Sequence, residues 1–546
     1  MTGPLIVQSD KTALLEVDHP DAVDARHDLA VFAELERAPE HIHTYRITKL
    51  GLWNARAAGH DADFVLGVLD RYAKFAVPTS VRTDIVETMS RYGRLVIRRA
   101  EDGGLELTSD SPAILVEAGH HRKMAELLGG RISETAFRIQ DWARGAVKQE
   151  LLKLGWPAED LAGYTEGTPH PIDLTENGWK IRDYQKLAVE KFWDGGSGVV
   201  VLPCGAGKTI VGATAMTVAK TSTLILVTNT VSARQWKAEL LKRTSLSEDD
   251  IGEYSGSVKE VKPVTIATYQ VMTTRKQGVY AHLDLFDSHD WGLIIYDEVH
   301  LLPAPIFRFT ADIQSRRRLG LTATLVREDG MEGEVFSLIG PKRFDVPWKE
   351  IEAQGYIAPA DCVEVRVTLT DHERLTYATA EQEDKYRSCS TTETKKKIVL
   401  ALAKKHAEDQ TLIIGQYINQ IDELSADLGV PIVKGETPVK EREELFAKFR
   451  SGELKCLVVS KVANFSIDLP EASVAIQVSG TFGSRQEEAQ RLGRILRPKS
   501  DGRTARFYSV VARDTIDQDF AQNRQRFLAE QGYSYRIIDA DEVLRS

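Results

Sequence analysis

Short apolar runs alternate with amphipathic helical segments through most of the chain, and this alternation most constrains the fold. The first series comprises Gly198-Val-Val-Val-Leu, Thr223-Leu-Ile-Leu-Val, Val264-Thr-Ile-Ala, Gly292-Leu-Ile-Ile-Tyr and Arg318-Leu-Gly-Leu-Thr. A second series comprises Thr411-Leu-Ile-Ile, Pro431-Ile-Val, Leu454-Lys-Cys-Leu-Val-Val and Val474-Ala-Ile-Gln-Val. Apolar strands separated by helices are typical of a parallel sheet with helices on both faces. The pattern predicts an α/β protein with two tandem parallel-sheet lobes, over residues 166–345 and 346–546.

Residues 1–165 are predicted to form a smaller α+β region. Periodicity predicts helices over 47–58, 60–73 and 79–92, followed by two strands at 94–99 and 105–108 that are joined by a turn. Three helices and a hairpin occur in this order in winged-helix domains, which bind DNA or a protein partner. A small α+β packing domain explains the same order, so both interpretations stay open. A loop rich in Gly, Thr and Pro, over 163–171, marks the boundary to the first lobe.

Charge and cysteine usage exclude several classes of protein. The 546 residues contain 70 Lys and Arg against 80 Asp and Glu, a net charge of −10, which excludes a uniformly basic, histone-like DNA binder. Residues 1–45 alone contain three basic and nine acidic side chains, so the acidity is concentrated at one end. Cys204, Cys362, Cys389 and Cys456 form no C-x-x-C pair, which argues against a zinc ribbon and a disulfide framework.

The pattern of apolar segments indicates the compartment. The first residues lack the basic segment of a secretory signal, and no apolar run approaches the length of a membrane span. Widely spaced free thiols fit a reducing compartment. We therefore expect a cytoplasmic protein that does not insert into a membrane.

The strongest local motif is Pro203-Cys-Gly-Ala-Gly-Lys-Thr209, which lies between a predicted strand and a predicted helix. Small residues allow backbone N–H groups to approach a triphosphate, and the helix N-terminus adds positive potential. Gly205, Ala206 and Gly207 are therefore predicted to bind the phosphates. Lys208 would reach the β- and γ-phosphates, and the Thr209 hydroxyl would bind Mg²⁺.

A phosphate loop needs an acidic partner, and Asp297-Glu-Val-His300 supplies one directly after an apolar strand. The carboxyl ends of parallel strands are where open α/β sheets bind ligands. We expect Asp297 to contact Mg²⁺. We expect Glu298 to orient and deprotonate the attacking water, since phosphoryl transfer needs an in-line nucleophile.

A third group of charges lies far away, in Gln490-Arg-Leu-Gly-Arg-Ile-Leu-Arg497. On a helix, Arg494 and Arg497 share a face because they are three residues apart. Two such arginines could stabilise the γ-phosphate from the second lobe. A basic surface helix is the alternative when this segment is considered alone.

Taken in order, these motifs resemble those of superfamily 2 helicases, whose two lobes are RecA-like. Arg182-Asp-Tyr-Gln185 resembles the adenine-reading Q motif, which implies nucleotide contacts for Arg182 and Gln185. Motif III, at Leu321-Thr-Ala-Thr324, implies that Thr322 and Thr324 couple the nucleotide site to the bound strand. The remaining motifs imply residues that contact the nucleic-acid backbone or the nucleotide. These residues are Asn229 and Thr230 in motif Ia, Thr268 in Ib, Gln416 in IV, Ser460 and Asp468 in V, and Gln490 in VI.

Within that superfamily, the chain resembles the XPB DNA helicases, and specifically their bacterial branch. Arg327-Glu328-Asp329 directly after motif III is the R-E-D signature of XPB helicases, and implies a role in unwinding. The segment 483–494 also matches their motif VI neighbourhood. Ser466 departs from the pattern, because many members have Gly there, and Asp468 is therefore the more secure motif V residue. Residues 370–397 occupy the position of a small thumb insertion; Lys395-Lys-Lys397 there is interpreted as a solvated helix end rather than a backbone contact.

The resemblance implies an ATP- and Mg²⁺-dependent DNA helicase that moves 3′ to 5′ and acts in repair or transcription. Its substrate would be single-stranded or forked DNA, and the N-terminal region could dock DNA, a nuclease or another repair protein. We expect a monomer. Four alternatives are considered. They are a double-stranded DNA translocase that does not separate strands, an RNA helicase, a phosphate-loop NTPase that does not act on nucleic acid, and a catalytically inactive scaffold. Asp-Glu-Val-His and Arg-Glu-Asp favour the DNA members over an RNA helicase.

Overall fold

A computed structural model describes residues 3–39, 41–203, 205–323, 325, 330–345, 351, 360–460, 472–480, 504–530 and 535–545. These residues form two lobes, each built on a seven-stranded parallel sheet, behind an N-terminal region with two smaller sheets. The predicted fold class, two RecA-like α/β lobes after an α+β region, is confirmed. The domain boundaries placed at residues 165 and 345 stay a prediction. No helix within the described ranges is long and apolar enough to cross a membrane.

Lobe 1 contains a sheet whose strands, numbered along the lobe, lie in the order 3-4-2-5-6-1-7. These strands are Gly198–Val201, Thr223–Val227, Ile251–Tyr254, Val264–Thr268, Leu293–Asp297, Arg317–Thr322 and Lys342–Asp345. The α-helices are Asp183–Gly195, Lys208–Ala219, Thr230–Arg243, Tyr269–Met272, Ala304–Asp312 and Glu332–Glu334. Shorter helical turns span Leu283–Phe286, Val299–Leu301 and Val335–Ile339, and a separate hairpin pairs Arg275–Lys276 with Val279–Tyr280.

Lobe 2 repeats this architecture, with the same strand order 3-4-2-5-6-1-7. Its strands are Ala360–Val367, Thr411–Gly415, Ile432–Val433, Cys456–Ser460, Val474–Gln477, Ala505–Ala512 and Tyr535–Asp539. Its helices are Asp371–Thr379, Lys385–Ser390, Glu393–Lys405, Ile418–Leu428, Val439–Ser451, Ile516–Glu530 and Ala540–Arg545. The shared order places corresponding motifs at corresponding strand ends in the two lobes.

The central strands are mostly apolar, and strands such as Thr223–Val227 are buried at every position, because both faces of each sheet are covered. In Thr223–Val227, Ile225 and Val227 pack into one core, whereas Leu224 and Leu226 pack into the core on the opposite face. Side chains alternate between the two faces of a strand, so a strand buried on both sides has no polar face. This explains the continuous β-branched runs of the sequence.

The first part of the N-terminal region forms an antiparallel sheet covered by helices. Its strands lie in the order first, second, fourth, third. The strands are Leu5–Val7, Thr12–Glu16, Ala33–Arg37 and Ile42–Ile47, and the helices are Ala22–Leu29, Lys49–Ala57, Ala62–Tyr72 and Thr79–Ser90. The three helices predicted from periodicity are therefore present, and they pack onto this sheet in one core.

The second part of the N-terminal region has its own five-stranded sheet and its own core. Its strands are Leu95–Arg99, Leu105–Ser109, Leu128–Ser133, Ala136–Ile139 and Ala158–Asp160, and its helices are Pro112–His120, Arg122–Leu127, Asp141–Ala143 and Arg144–Lys153. The predicted hairpin is formed by the first two of these strands. The winged-helix interpretation is not supported, because the three helices and the hairpin belong to different cores, and the hairpin strands pair with two further strands.

The first part of the N-terminal region contacts both lobes. Lys342 of lobe 1 donates its backbone N–H to Asn54 Oδ1 at 2.8 Å and its Nζ to the Val31 carbonyl at 3.3 Å. From lobe 2, Ala529 is buried in the first N-terminal core, and Arg526 donates to the Glu36 carbonyl at 3.4 Å. A cavity of about 480 Å³ lies at this junction and is lined by side chains from the first N-terminal sheet and from both lobes.

The segment 370–397 differs from the expectation of a solvated charged helix end. Lys395 is fully buried, where its Nζ lies 2.6 Å from Asp517 Oδ2 and donates to the Val478 carbonyl at 3.0 Å. Lys396 pairs with Asp427 at 2.9 Å, and Lys397 is exposed. A buried ammonium needs a charged or polar partner. Lys395 is therefore a core residue of lobe 2, and the solvated interpretation is wrong for it.

Gly145 marks the closest approach between the second N-terminal part and lobe 1. It lies in the helix Arg144–Lys153, and a Cβ atom at this position would overlap the backbone of Ala311. We expect Gly145→Ala to lower the free energy of unfolding by about 1–3 kcal/mol, because the two helices would be forced apart. The measurement is the midpoint of urea unfolding.

Gly67→Ala provides the matched control. Gly67 lies in the helix Ala62–Tyr72 with no atom within 4 Å of a Cβ built there. This substitution is expected to stabilise the protein by about 0.5–1 kcal/mol, because alanine is the better helix former. Equal midpoints for the two variants would show that the close contact at Gly145 is relieved at no cost.

Candidate active site

The phosphate loop follows the strand Gly198–Val201 and begins the helix Lys208–Ala219. Gly205 and Gly207 have φ angles of +81° and +82°, a backbone region that favours glycine. A Cβ atom at Gly207 would also lie 2.5 Å from Gln185 Nε2. The two glycines of the motif are thus required by the turn itself, and Lys208 and Thr209 open the helix as predicted.

The segment 182–185 lies beside this loop and bonds it directly. Gln185 is 1% exposed, its Nε2 donates to the Ala206 carbonyl at 3.0 Å, and its Oε1 accepts from the Arg182 backbone N–H at 3.0 Å. The Tyr184 hydroxyl donates to the same Ala206 carbonyl at 2.7 Å and accepts from the Arg182 guanidinium at 2.9 Å. Both ends of the Gln185 amide therefore contact the protein backbone, and adenine reading by Arg182 and Gln185 stays a prediction.

Lys208 and Glu298 form an ion pair across the site, with both side chains largely buried. Glu298 follows the strand Leu293–Asp297 and has a φ angle of +50°. That left-handed conformation costs a non-glycine residue roughly 1–2 kcal/mol. Strained residues of this kind cluster at functional sites, where the surrounding structure holds them in place. The structure thus brings together the two residues that the sequence assigned to the phosphate and to the attacking water.

Asp297 is held by groups from two other elements. The Trp236 indole donates to Oδ2 at 2.9 Å, and the Tyr269 hydroxyl donates to the backbone carbonyl at 2.7 Å. Burial and, to a smaller extent, the Glu298 charge raise the pKa of Asp297 above its usual value, whereas Lys208 and the Trp236 bond act in the opposite direction. A carboxylate that is poorly compensated by the protein favours a bound cation.

Trp236 and Tyr269 were not predicted from the sequence. Trp236 lies on the helix Thr230–Arg243 and is 1% exposed, and Tyr269 begins the helix Tyr269–Met272 and is 4% exposed. A buried aromatic residue in a helix usually indicates core packing. The only signal in the sequence was their proximity to the segments that resemble motifs Ia and Ib.

His300 connects the acidic strand end to the next strand of the sheet. Its Nδ1 lies 2.5 Å from Thr322 Oγ1, and both residues are buried. The same nitrogen lies 3.6 Å from Glu298 Oε2. Thr322 was predicted to couple the nucleotide site to the bound strand, and the structure places it one side chain away from Glu298.

The residues of motifs Ia and Ib lie at the ends of neighbouring strands. Val227 and Thr268 are paired in parallel register, so Asn229 and Thr230 emerge beside Thr268. Asn229 Oδ1 accepts from the Ser232 N–H at 2.9 Å, and Thr268 Oγ1 accepts from the Val271 N–H at 3.3 Å. Each side chain thus caps a helix N-terminus at the edge of the sheet that carries the phosphate loop.

In lobe 2, the described motif residues also lie at strand ends. Gly415 and Ser460 are paired in register, which places Gln416 beside Ser460. The Gln416 backbone N–H donates to Ser479 Oγ at 2.7 Å, and Ser460 is fully buried. The remaining predicted site residues lie outside the described residues: Thr324, Arg327, Glu328, Asp329, Asp468, Gln490, Arg494 and Arg497.

The donor set at the phosphate loop fits a magnesium ion bound together with a nucleotide. Thr209 offers a hydroxyl oxygen at the start of a helix, and Asp297 offers a half-buried carboxylate. Mg²⁺ prefers oxygen ligands and keeps waters and phosphate oxygens in its shell, so one or two protein groups are enough. Within the described residues, no group of three or more His, Cys, Asp or Glu could hold a metal ion by itself.

Three protein-family models match separate segments of the chain. Residues 351–546 match the ERCC3/RAD25/XPB C-terminal helicase family, residues 5–133 match a helicase conserved C-terminal domain, and residues 178–327 match the res subunit of type III restriction enzymes. A solved structure, the Pyrococcus furiosus Hef helicase domain, is 15% identical with a TM-score of 0.43, and covers 63% of this chain and 98% of its own.

Two relatives from bacteria are similar over nearly their full length. The protein named DNA 3′-5′ helicase XPB of Kineococcus radiotolerans is 69% identical, over 99% of this chain and 97% of its own. The protein of the same name from Mycobacterium tuberculosis is 66% identical, over 99% of each chain. The chain therefore belongs to the XPB helicase family, in its bacterial branch.

Proposed function

We propose that the protein is an ATP- and Mg²⁺-dependent DNA helicase that moves 3′ to 5′ and separates strands in DNA repair or transcription. The observation that carries this proposal is the pairing of Lys208, on the phosphate loop, with Glu298, on the acidic strand end. Asp297 beside them bonds Trp236 and Tyr269, which follow the motif Ia and Ib segments. The names of the bacterial relatives support the same activity.

The ion pair suggests how the site responds to ATP. The γ-phosphate would compete with Glu298 for the Lys208 ammonium, since both are anions and Lys208 lies at the phosphate-binding helix N-terminus. Glu298 would then be free to accept a proton from the attacking water. Thr209 and Asp297 would hold Mg²⁺, which supplies positive charge to the phosphates when bound.

Translocation would follow from closure of the two lobes around ATP. Arg494 and Arg497 would complete the site from lobe 2 and respond to the γ-phosphate. The residues at strand ends in both lobes would contact the DNA backbone or couple it to the ATP site: Asn229, Thr230, Thr268, Gln416 and Ser460. Contacts with phosphates are independent of base sequence, which suits a motor that moves along DNA.

The main alternative is a translocase that moves along duplex DNA without separating the strands. The same ATPase motifs would serve it, so strand-displacement and triplex-displacement assays must be run side by side. A phosphate-loop NTPase without a nucleic-acid substrate predicts that single-stranded, duplex and forked DNA leave hydrolysis unchanged. Activation by forked DNA together with strand displacement supports the helicase.

The proposal extends to the setting of the protein. We propose a monomeric cytoplasmic enzyme whose N-terminal region docks DNA or a repair protein such as a nuclease. The contacts of Lys342 and Arg526 with the first part of the N-terminal region support a role during ATP-driven movement, because this part contacts both lobes. Removal of residues 1–165 would test this part, with strand displacement and nuclease binding as separate measurements.

Substitutions of Lys208 and Glu298 are expected to separate nucleotide binding from chemistry. Glu298→Gln should lower the hydrolysis rate by about 10²–10⁴-fold, because an amide cannot act as the general base. This variant should retain nucleotide affinity, whereas Lys208→Ala should lose both affinity and turnover. The measurements are steady-state phosphate release and the binding of a fluorescent ATP analogue.

Glu190→Gln and Lys191→Ala make the same chemical changes on exposed residues of the helix Asp183–Gly195. Both controls should keep turnover within about twofold of the parent protein, as expected for surface substitutions. Wild-type hydrolysis by Glu298→Gln would remove Glu298 from the reaction.

Thr322→Val tests the connection between His300 and the adjacent strand. Valine has the same shape as threonine but removes the hydroxyl that lies 2.5 Å from His300 Nδ1. Such a bond contributes about 1 kcal/mol, so we expect the number of base pairs opened per ATP hydrolysed to fall about fivefold, with ATPase activity largely retained. The measurement is strand displacement and phosphate release in one reaction.

Thr310→Val is the matched control. Thr310 lies in the helix Ala304–Asp312, and its fully buried hydroxyl bonds the Tyr296 hydroxyl at 3.0 Å. It should affect thermal stability but not coupling. If both variants lose coupling equally, the His300–Thr322 contact is only structural.

A further inference from the structure

A short hairpin projects from lobe 1 between the motif Ib segment and the acidic strand end. We call residues 275–280 the lobe-1 hairpin. Arg275 pairs with Tyr280 and Lys276 with Val279 in antiparallel register. Gln277 and Gly278 form the two-residue turn with φ angles of +51° and +83°. A two-residue turn with positive φ at both positions matches the twist of the strands and gives a well-defined hairpin.

The base of the lobe-1 hairpin is fixed on both sides. Before it, Met272 is fully buried, and after it Leu285 and Phe286 are buried in the same core. The Ala281 N–H donates to the Thr274 carbonyl at 3.2 Å and closes the base. The hairpin is therefore a projection from a rigid support rather than a loose loop.

Its position links it to both the sheet edge and the ATP site. The hairpin follows Thr268 and the helix Tyr269–Met272, at the edge where the parallel strands end. Tyr269 on that helix donates to the Asp297 carbonyl at 2.7 Å. One short helix thus connects the residue that would hold Mg²⁺ to the base of the hairpin.

The hairpin carries exposed positive charge beside aromatic rings. Arg275 and Lys276 are exposed, and no carboxylate among the described residues forms an ion pair with either of them. The Arg275 guanidinium lies 4.6 Å from the Tyr280 ring centroid, and Val279 is 69% exposed at the turn. Basic groups interleaved with aromatic rings are typical of surfaces that bind a nucleic-acid backbone.

A second group of residues extends this surface at the edge of the sheet. Lys259 lies 5.1 Å from the Tyr254 ring centroid, and the Tyr254 hydroxyl lies 2.9 Å from His282 Nδ1. Burial lowers the pKa of Lys259, and the charge of Lys276 lowers it further. Burial also lowers the pKa of His282, and the charges of Lys259 and Lys276 act in the same direction. Asp284 acts in the opposite direction on His282. A polyanion would relieve this repulsion.

We propose that the lobe-1 hairpin is a DNA-binding element, in which Arg275 and Lys276 grip a phosphate backbone next to the motif Ib segment. This inference rests on the proposed function, because it takes DNA as the substrate. It adds a contact that lies outside the helicase motifs. The hairpin base is connected to Asp297 through Tyr269. Changes at the ATP site can therefore alter the contact of the hairpin with DNA.

The test is binding of a fluorescein-labelled forked DNA with a 3′ tail to the full chain, measured by anisotropy at several KCl concentrations. For Arg275→Ala/Lys276→Ala we expect Kd to rise about fivefold. We also expect the slope of log Kd against log salt to fall by about 1–2, because each lost phosphate contact removes nearly one released counterion. Equal thermal midpoints of variant and parent show that the fold is retained.

Two further variants make the result specific. The swap Arg275→Lys/Lys276→Arg keeps both charges and should keep the parental slope. Lys404→Ala/Lys405→Ala removes two adjacent exposed charges at the end of the helix Glu393–Lys405. This helix leads into the N-terminal end of a lobe 2 strand, so the variant should also keep the parental slope.

Three results would overturn the proposal. Unchanged Kd and slope in the double alanine variant would show that the hairpin does not touch DNA. An equal loss in the swap variant would assign the effect to hairpin structure rather than charge. A defect with forked RNA but not with forked DNA would assign another polymer. If the parent protein itself does not bind forked DNA, the proposed function fails as well. This outcome differs from failure of the hairpin proposal alone, because the parent and all variants then behave alike.

Discussion

The hydrogen bonds accepted by Asp297 are the interaction on which the rest of the structure depends. Its carboxylate accepts from the Trp236 indole and its backbone carbonyl from the Tyr269 hydroxyl. Those two side chains come from the two helices that follow the motif Ia and Ib strands. Polar groups in the interior need hydrogen-bond partners, so the Trp236 indole and the Tyr269 hydroxyl are each held in place by their bond to Asp297. Asp297 thus connects the ATP site of lobe 1 to the helices that follow the motif Ia and Ib strands. Lys208 and Glu298 form their ion pair beside it.

Much of the site was predictable because parallel sheets collect all their strand C-termini at one edge. Lys208, Thr209, Asp297 and Glu298 each follow or face such an end, so an apolar run before a polar motif was enough to place them. Trp236, Tyr269 and Tyr184 were not predictable in the same way. Their rings are buried like core aromatics, and only the hydroxyl or indole group reveals a second role.

Other features escaped prediction for identifiable reasons. Ile251–Tyr254 and Lys342–Asp345 lie outside the strongly apolar centre of the lobe 1 sheet, and their polar residues obscure the strand pattern. Local periodicity placed the N-terminal helices and hairpin correctly, but it cannot tell which core an element joins, and two cores are present. Lys395 has the same sequence appearance as its exposed neighbour Lys397, because its partner Asp517 is more than a hundred residues away.

The contacts of the first N-terminal sheet with both lobes have a thermodynamic consequence. Lys342 of lobe 1 contacts the loop and the helix beside this sheet, Arg526 of lobe 2 contacts its third strand, and Ala529 is part of its core. Any change in the relative position of the lobes must therefore alter the free energy of at least one of these contacts. Linkage is reciprocal: if a molecule bound to this N-terminal part changes nucleotide affinity by some factor, nucleotide changes the affinity for that molecule by the same factor. The N-terminal sheet therefore influences the two lobes as a bound ligand would, in addition to ATP and DNA, although it is part of the same chain.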